Sequence, residues 1–324
     1  MTVVVTTSPG FAKTGRPAEE IAGRGWEFVR CADTSLPDGG VSAVLDRVEI
    51  LVVGLFAATA AQIAAAPKLK AVIKNGVGVD NIDIAAATAR GIPVINAPGT
   101  NANAVAELAL GGMLGLARRI PQGHMSVVGG GWSRHVGTEL SGKTLGVVGL
   151  GNIGRNLAAK AVALGMKVVA TELYPDAAFV AQHRIELLPL ADLLRRADYV
   201  SLHVFGGQGN AHLIGAPELA LMKPTAFLLN YARGEVVDLD ALAAALKAER
   251  LGGAAIDAYE SEPPDRSHPI FADPRVVFTP HSGADTRESA ERCGLSVIAD
   301  ADLVLAGRRS PHCLNPEVYS AETA

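Results

Sequence analysis

The 324 residues exceed the usual span of a single hydrophobic core, so two domains of ordinary size are expected. Hydrophobic residues make up 49% and charged residues 19%, a balance that excludes a disordered chain and suits buried parallel strands covered by helices. A formal net charge of −4 excludes the basic footprint that nucleic-acid binding needs.

The opening residues MTVVVTTSPG lack a basic region followed by a long apolar stretch, so no secretory leader is expected. The most apolar long segment, 104–117, contains Glu107 and is too short to span a bilayer. Cys31, Cys293 and Cys313 are scattered and odd in number, which predicts neither a disulfide framework nor a metal cluster. A reducing, cytoplasmic setting follows as the expectation.

Short β-branched runs at 3–6, 26–30, 50–53, 71–73 and 94–95 read as strands. Alanine-rich stretches at 17–25, 41–46, 58–65 and 82–90 read as the helices between them, which predicts βαβ units and a parallel sheet. A longer helical pattern covers 101–120, and the run Gly129-Gly130-Gly131 after it reads as a flexible joint between domains.

From residue 141 the alternation resumes. The apolar run 145–148 meets Gly149-Leu150-Gly151-Asn152-Ile153-Gly154, then a helix-period segment and a second apolar run, 168–171, ending before Glu172. Gly149 allows the tight turn, Gly151 lets a pyrophosphate approach the backbone, and Gly154 lets the helix pack closely on the strand. The helix N-terminus then offers free N–H groups and a positive dipole end to phosphate. Glu172, about twenty residues past the turn, is placed to accept from a ribose 2′-OH and to repel the extra phosphate of NADP. Glycines also mark ordinary turns, but this spacing between two strands points to NAD. Further strands are expected at 199–204, 226–230, 254–256 and 276–279, and a long helix at 284–306 followed by a tail over 307–324.

Three charged side chains fall at the ends of these later strands. His281 follows an apolar run and a Pro, Glu262 precedes Pro263, and Arg233 precedes Gly234. Taken singly, the His reads as structural and the Glu and Arg as solvated loop charges. Together at the C-terminal edge of a parallel sheet, where ligands bind, they suit general acid–base work on a carboxylate substrate. A Glu beside the imidazole would orient it and favour proton uptake. Arg233 could grip a carboxylate with two donors.

The motifs Gly76-Val77-Gly78-Val79-Asp80-Asn81-Ile82-Asp83, Asn96-Ala97-Pro98-Gly99, Val105-Ala106-Glu107, Met222-Lys223-Pro224, Asn230-Tyr231-Ala232-Arg233-Gly234, 255–263 and Thr279-Pro280-His281 stand in one order along the chain. Together they resemble the D-isomer-specific 2-hydroxyacid dehydrogenases, and 132–146 looks closest to the 3-phosphoglycerate dehydrogenase branch. The resemblance implies an α/β fold of two doubly wound parallel-sheet domains. A Rossmann NAD-binding domain (101–284) would be inserted in a flavodoxin-like substrate domain (1–100 and 285–324). It implies an NAD-dependent oxidoreductase moving a hydride between nicotinamide and C2 of a small D-2-hydroxy or 2-oxo acid of the 3-phosphoglycerate, hydroxypyruvate or glyoxylate type. His281 would be the acid/base, Glu262 its partner and Arg233 the substrate clamp, in an interdomain cleft. Gly76, Val77, Gly78 and Lys74 would bind substrate, while His203, Ala232 and Asp257 would join Gly149, Gly151, Asn152, Ile153, Gly154 and Glu172 around the cofactor. Asp257 would contact the nicotinamide carboxamide, with a structural cap as its secondary reading, while Lys74 as a phosphate ligand and Arg134 as a residue reaching a partner subunit's site are equally read as ordinary surface charges.

A homodimer through the 101–140 arm is the implied partner state, with no membrane or nucleic-acid partner, and no regulatory domain is expected after residue 324. Two departures stand out: Val204-Phe205 where the family carries a Pro after its His, and no Arg at Val53-Gly54-Leu55, where phosphoglycerate enzymes commonly place one. The alternative function is an NAD(H)-sensing, corepressor-like protein on the same scaffold.

Overall fold

The computed structural model describes residues 1–54 and 56–319. Leu55, where the missing Arg was noted, and the tail positions 320–324 lie outside the described residues. The chain divides into two compact units, one of residues 1–101 with 285 onward and one of Ala102–Ala284.

The first unit holds five parallel strands, β1 (Val3–Thr6), β2 (Glu27–Arg30), β3 (Ile50–Val53), β4 (Ala71–Lys74) and β5 (Val94–Ile95), in the order β2-β1-β3-β4-β5. This is the flavodoxin-like order. β1 and β3 are buried on both faces, which is why they read as unbroken apolar runs rather than alternating ones. One face packs on the helix Arg287–Leu305, whose Cys293, Val297, Ile298 and Ala301 join Val4, Ile50, Val52 and Ile73 in one core. The stretch expected to be helical at 41–46 is a short 3-10 turn, Val41–Val44. After the long helix the chain crosses β5, with Cys313 bridged antiparallel to Ile95 and Asn315 Oδ1 accepting Val94 N–H at 2.7 Å.

The second unit holds seven parallel strands: β6 (Thr144–Val148), β7 (Lys167–Thr171), β8 (Glu186–Leu187), β9 (Tyr199–Leu202), β10 (Phe227–Asn230), β11 (Gly253–Ile256) and β12 (Val276–Phe278). Their order, β12-β11-β10-β9-β6-β7-β8, is the Rossmann arrangement, whose order reverses between β6 and β9. The helix Ala102–Arg118 packs on the helix Asn152–Ala163; the first lies on β10, β11 and β12 and the second on β6 and β7, and Met113, Leu116, Leu145, Leu157 and Ala161 share one core. Each strand delivers its following loop to one edge, so the loops after β6, β9, β10, β11 and β12 converge there.

The glycine run at 129–131 is not the joint between units. The division falls at Asn101/Ala102, while the run stops the helix Ile120–Val128: Gly129 N–H bonds Met125 O at 3.0 Å and Gly131 N–H bonds Ser126 O at 2.8 Å. Gly130 takes a φ of 79°, the left-handed conformation that ends helices.

Candidate active site

The turn after β6 has the geometry a pyrophosphate requires. Gly149 sits at φ 91°, and the helix that opens at Asn152 begins directly behind Gly151. A Cβ on Gly151 would meet nothing within 4 Å, so the backbone there is open to a ligand. A Cβ on Gly154 would instead strike the Gly149 carbonyl, so that position serves close helix–strand packing. Asn152 and Ile153 form the first turn of the helix, where its N–H groups lack intrahelical partners.

Glu172 follows β7 directly. Its carboxylate accepts Leu150 N–H at 2.7 Å and Tyr174 N–H at 3.0 Å. The acid thus braces the glycine turn as well as standing beside it. A carboxylate has about four acceptor positions, which leaves room for a ribose hydroxyl. His203 lies one residue beyond β9, not inside a strand reaching 204 as the sequence suggested. Its Nε2 pairs with Ser201 Oγ at 2.9 Å, while Nδ1 is shielded from solvent without a hydrogen-bond partner. Burial pushes its pKa down to about 3, so the imidazole is neutral at physiological pH. Such an orphaned buried nitrogen beside the turn fits an incoming polar ligand.

On the other side of the edge, His281 Nδ1 lies 2.7 and 2.8 Å from the two oxygens of Glu262. Both side chains remain part-exposed, at 44% and 41%. Glu262 does not stand at the end of β11. It lies on the loop beyond Ile256, where Tyr259 N–H donates to its Oε1 at 3.2 Å. His281 itself has a φ of 49° and a backbone N–H bonded to Thr279 O. A left-handed non-glycine residue costs on the order of 1–3 kcal/mol and persists only where its surroundings impose it.

The imposing group is Asp257. This buried carboxylate, on the residue after β11, accepts Thr279 Oγ1 at 2.5 Å, Ser282 N–H at 2.9 Å and Gly283 N–H at 2.9 Å. It clamps the segment that carries His281. Tyr259 adds a second tie, its hydroxyl donating to Thr279 O at 2.9 Å. Burial, then the charges of Asp257 and Glu262, push that phenol up to about 12, so it stays a donor.

Arg233 follows β10 and opens the 3-10 turn Gly234–Val236. Buried Asn230 sets its backbone, accepting Ala232 N–H at 3.1 Å and donating to the Arg233 carbonyl at 2.9 Å. The guanidinium donates to Ala232 O at 2.9 Å. Sequence reasoning placed Asn230 and Tyr259 within motifs without assigning them work. Tyr259 reaches Thr279, a long-range partner that leaves no local pattern, whereas Asn230 acts on the next few residues, a local turn contact that its residue type could have suggested.

In the first unit, Lys74 ends β4, and its Nζ donates to Gly54 O at 3.0 Å and Asn81 Oδ1 at 2.8 Å. Gly76, Val77 and Gly78 form the bend that follows. The Gly76 carbonyl accepts Ala97 N–H and the Val77 carbonyl accepts Asn96 Nδ2. Arg134 lies in an exposed stretch without regular structure. Among the described residues, no group of three or more His, Cys, Asp or Glu side chains is gathered as metal ligands, and no helix is long and apolar enough to cross a membrane.

A Rossmann sheet with an open glycine turn, an acid after β7 and a His–Glu pair at the same edge defines a dinucleotide-binding oxidoreductase scaffold. Residues 110–283 match the family profile described as D-isomer specific 2-hydroxyacid dehydrogenase, NAD binding domain. The chain is 43% identical over 289 residues to the D-3-phosphoglycerate dehydrogenase of Mycobacterium tuberculosis (strain ATCC 25618 / H37Rv), which covers 89% of this chain and 54% of that one. It is 37% identical over 260 residues to the hydroxypyruvate reductase of Thermotoga maritima, covering 79% of this chain and 84% of that one. The crystal structure of the TT0316 protein from Thermus thermophilus superposes with a TM-score of 0.87 at 33% identity, covering 97% of this chain and all of that one. The chain belongs to the D-isomer-specific 2-hydroxyacid dehydrogenase family. It spans about half the length of the phosphoglycerate dehydrogenases it matches.

Proposed function

We propose that the protein is an NAD-dependent D-2-hydroxyacid dehydrogenase, acting reversibly on a small 2-hydroxy or 2-oxo acid. The observation that carries this reading is the His281–Glu262 pair, held at the strand edge that also bears the glycine turn. NAD would be held by Gly149, Gly151, Asn152, Ile153 and Gly154 at its pyrophosphate, by Glu172 at the ribose, and by the loops carrying His203 and Ala232. When bound, it supplies the nicotinamide ring that accepts or donates a hydride at substrate C2. His281 Nε2 takes the C2 hydroxyl proton during oxidation and returns it to the carbonyl oxygen during reduction. Glu262 accepts the Nδ1 proton in its hydrogen bond and balances the imidazolium charge. Arg233 holds the substrate carboxylate and stabilises negative charge on the C2 oxygen. Asp257 is assigned first to holding the His281 segment, with any carboxamide contact a second use of the same group.

The first unit is assigned to substrate, through Lys74 and the amides of Gly76, Val77 and Gly78. Glyoxylate, hydroxypyruvate and 3-phosphohydroxypyruvate are the acids to test with NADH. Consumption of NADH with at least one supports the reading, whereas NADH binding without turnover of any favours the sensor alternative. A homodimer is proposed because Ile120, Met125, Val127, Val128, Trp132 and Val136 expose apolar side chains along one arm, and a cytoplasmic setting because Cys31, Cys293 and Cys313 are free thiols. A monomeric mass by light scattering would count against it.

Glu172→Gln is expected to improve the use of NADPH relative to NADH by roughly tenfold, the scale of one charge-assisted hydrogen bond. The single amide oxygen can keep Leu150 N–H but gives up Tyr174 N–H, which the other carboxylate oxygen accepts, so a melting curve accompanies the ratio. An unchanged NADH/NADPH ratio of kcat/KM would argue against the ribose contact.

A further inference from the structure

The loop after β9 runs Val204-Phe205-Gly206-Gly207-Gln208-Gly209-Asn210, with glycines in a stretch where the family resemblance weakens. It lies between the phosphate turn and Arg233. A Cβ on Gly149 would fall 2.7 Å from His203 O and 3.1 Å from Val204 Cγ1, so the start of the loop packs on the turn. A Cβ on Gly206 would fall 2.9 Å from Arg233 Cγ and 3.3 Å from its Cβ, and would overlap Glu235 Oε1. The loop backbone is therefore a wall against the stem of the arginine, and only glycine leaves space for that contact.

Glu235 fastens this wall. Its Oε1 accepts Gly207 N–H at 3.1 Å, and its backbone carbonyl accepts His212 N–H at 2.7 Å. Asn210 closes the loop by donating to Phe205 O at 2.9 Å. Glu235 belongs to the turn Gly234–Val236 that begins at Arg233, so one short segment carries the guanidinium and grips the wall beside it. An arginine side chain has much rotamer entropy to lose, and a stem already confined loses less when its guanidinium meets a carboxylate.

We propose that Gly206 and Glu235 are positioning residues for Arg233: the Gly206–Gly207 backbone, tied by the Glu235 carboxylate, fixes the stem of the substrate-clamping arginine. The inference rests on the reading of Arg233 as that clamp. Neither residue touches the reacting atoms.

The test uses the full chain and the variants Glu235→Ala, Glu235→Gln and Gly206→Ala. It measures kcat and KM for glyoxylate and hydroxypyruvate at saturating NADH, NADH affinity by fluorescence, and Tm. Glu235→Ala should lower kcat/KM about tenfold, mainly through KM, and Glu235→Gln should stay within about threefold of the unmodified chain because its amide oxygen still accepts Gly207 N–H. Gly206→Ala should lower kcat/KM about 10²-fold, the scale of an ångström of misplacement. NADH affinity should hold in all three. Unchanged kcat/KM in folded Glu235→Ala, a loss carried by NADH affinity alone, or failure of Gln to rescue would each overturn the proposal. If Gly206→Ala does not fold, the two Glu235 variants decide. An unmodified chain without turnover defeats the dehydrogenase reading instead. The Glu235 tie is then judged on oxalate binding to the NADH complex, which must weaken in Glu235→Ala and recover in Glu235→Gln.

Discussion

Replacing His281 by alanine is expected to lower kcat by about 10²–10⁴-fold while leaving NADH affinity nearly unchanged, the range typical of losing a general acid–base group. The selectivity follows from where the imidazole is held. Its bonds run to Glu262, and its segment is clamped by Asp257 and Tyr259, whereas the glycine turn is braced separately by Glu172. Removing the ring leaves that turn intact. Alanine does not share histidine's tolerance of a left-handed backbone, so a melting curve should accompany the kinetics. Glycine at the same position relieves the strain and should lose the same activity. An equal loss of NADH binding in the glycine variant would contradict the assigned role.

Gly234→Ala is expected to be the most damaging small substitution in the second unit. A Cβ there would overlap the backbone of Tyr259 and Glu260 rather than a side chain that could swing aside. The loop after β10, which carries Arg233, thus lies directly on the loop after β11, which carries Glu262. Overpacking of this kind costs about 3 kcal/mol or more when backbone must move. Two outcomes should appear together, a fall in Tm and a fall in kcat/KM beyond what the unfolded fraction explains. Wild-type stability and activity in the variant would show that the two loops are not in the contact described.

The fold was legible where burial is two-sided. β1, β3, β6, β9 and β11 are covered on both faces along nearly their whole length, so their sequences are largely apolar, with Ser201 of β9 a buried polar exception. The strand that left no signal, β8, is two exposed residues, Glu186 and Leu187, with Glu186 spent on an ion pair to Arg196. The glycine run at 129–131 misled because glycine's freedom serves helix termination as readily as a hinge, and composition does not separate the two. The members of the site were visible as charges near strand ends, but their support was not. Asp257 reaches Thr279, Ser282 and Gly283 only because β11 and β12 are neighbours in the sheet. Glu235 meets Gly207 only because β9 and β10 are neighbours. Pairings of this sort depend on strand order, which one sequence does not spell out.

In the proposed reaction a hydride passes between nicotinamide and substrate C2 with His281 serving the C2 oxygen. It is tested by incubating the protein with a 2-oxo acid and NADH carrying deuterium at both C4 positions of the nicotinamide, then analysing the product. The expected product is a D-2-hydroxy acid carrying deuterium at C2, formed rapidly by the unmodified chain and at a small fraction of that rate by His281→Ala. Product without C2 deuterium, an L-configured product, or equal rates from the two proteins would contradict it.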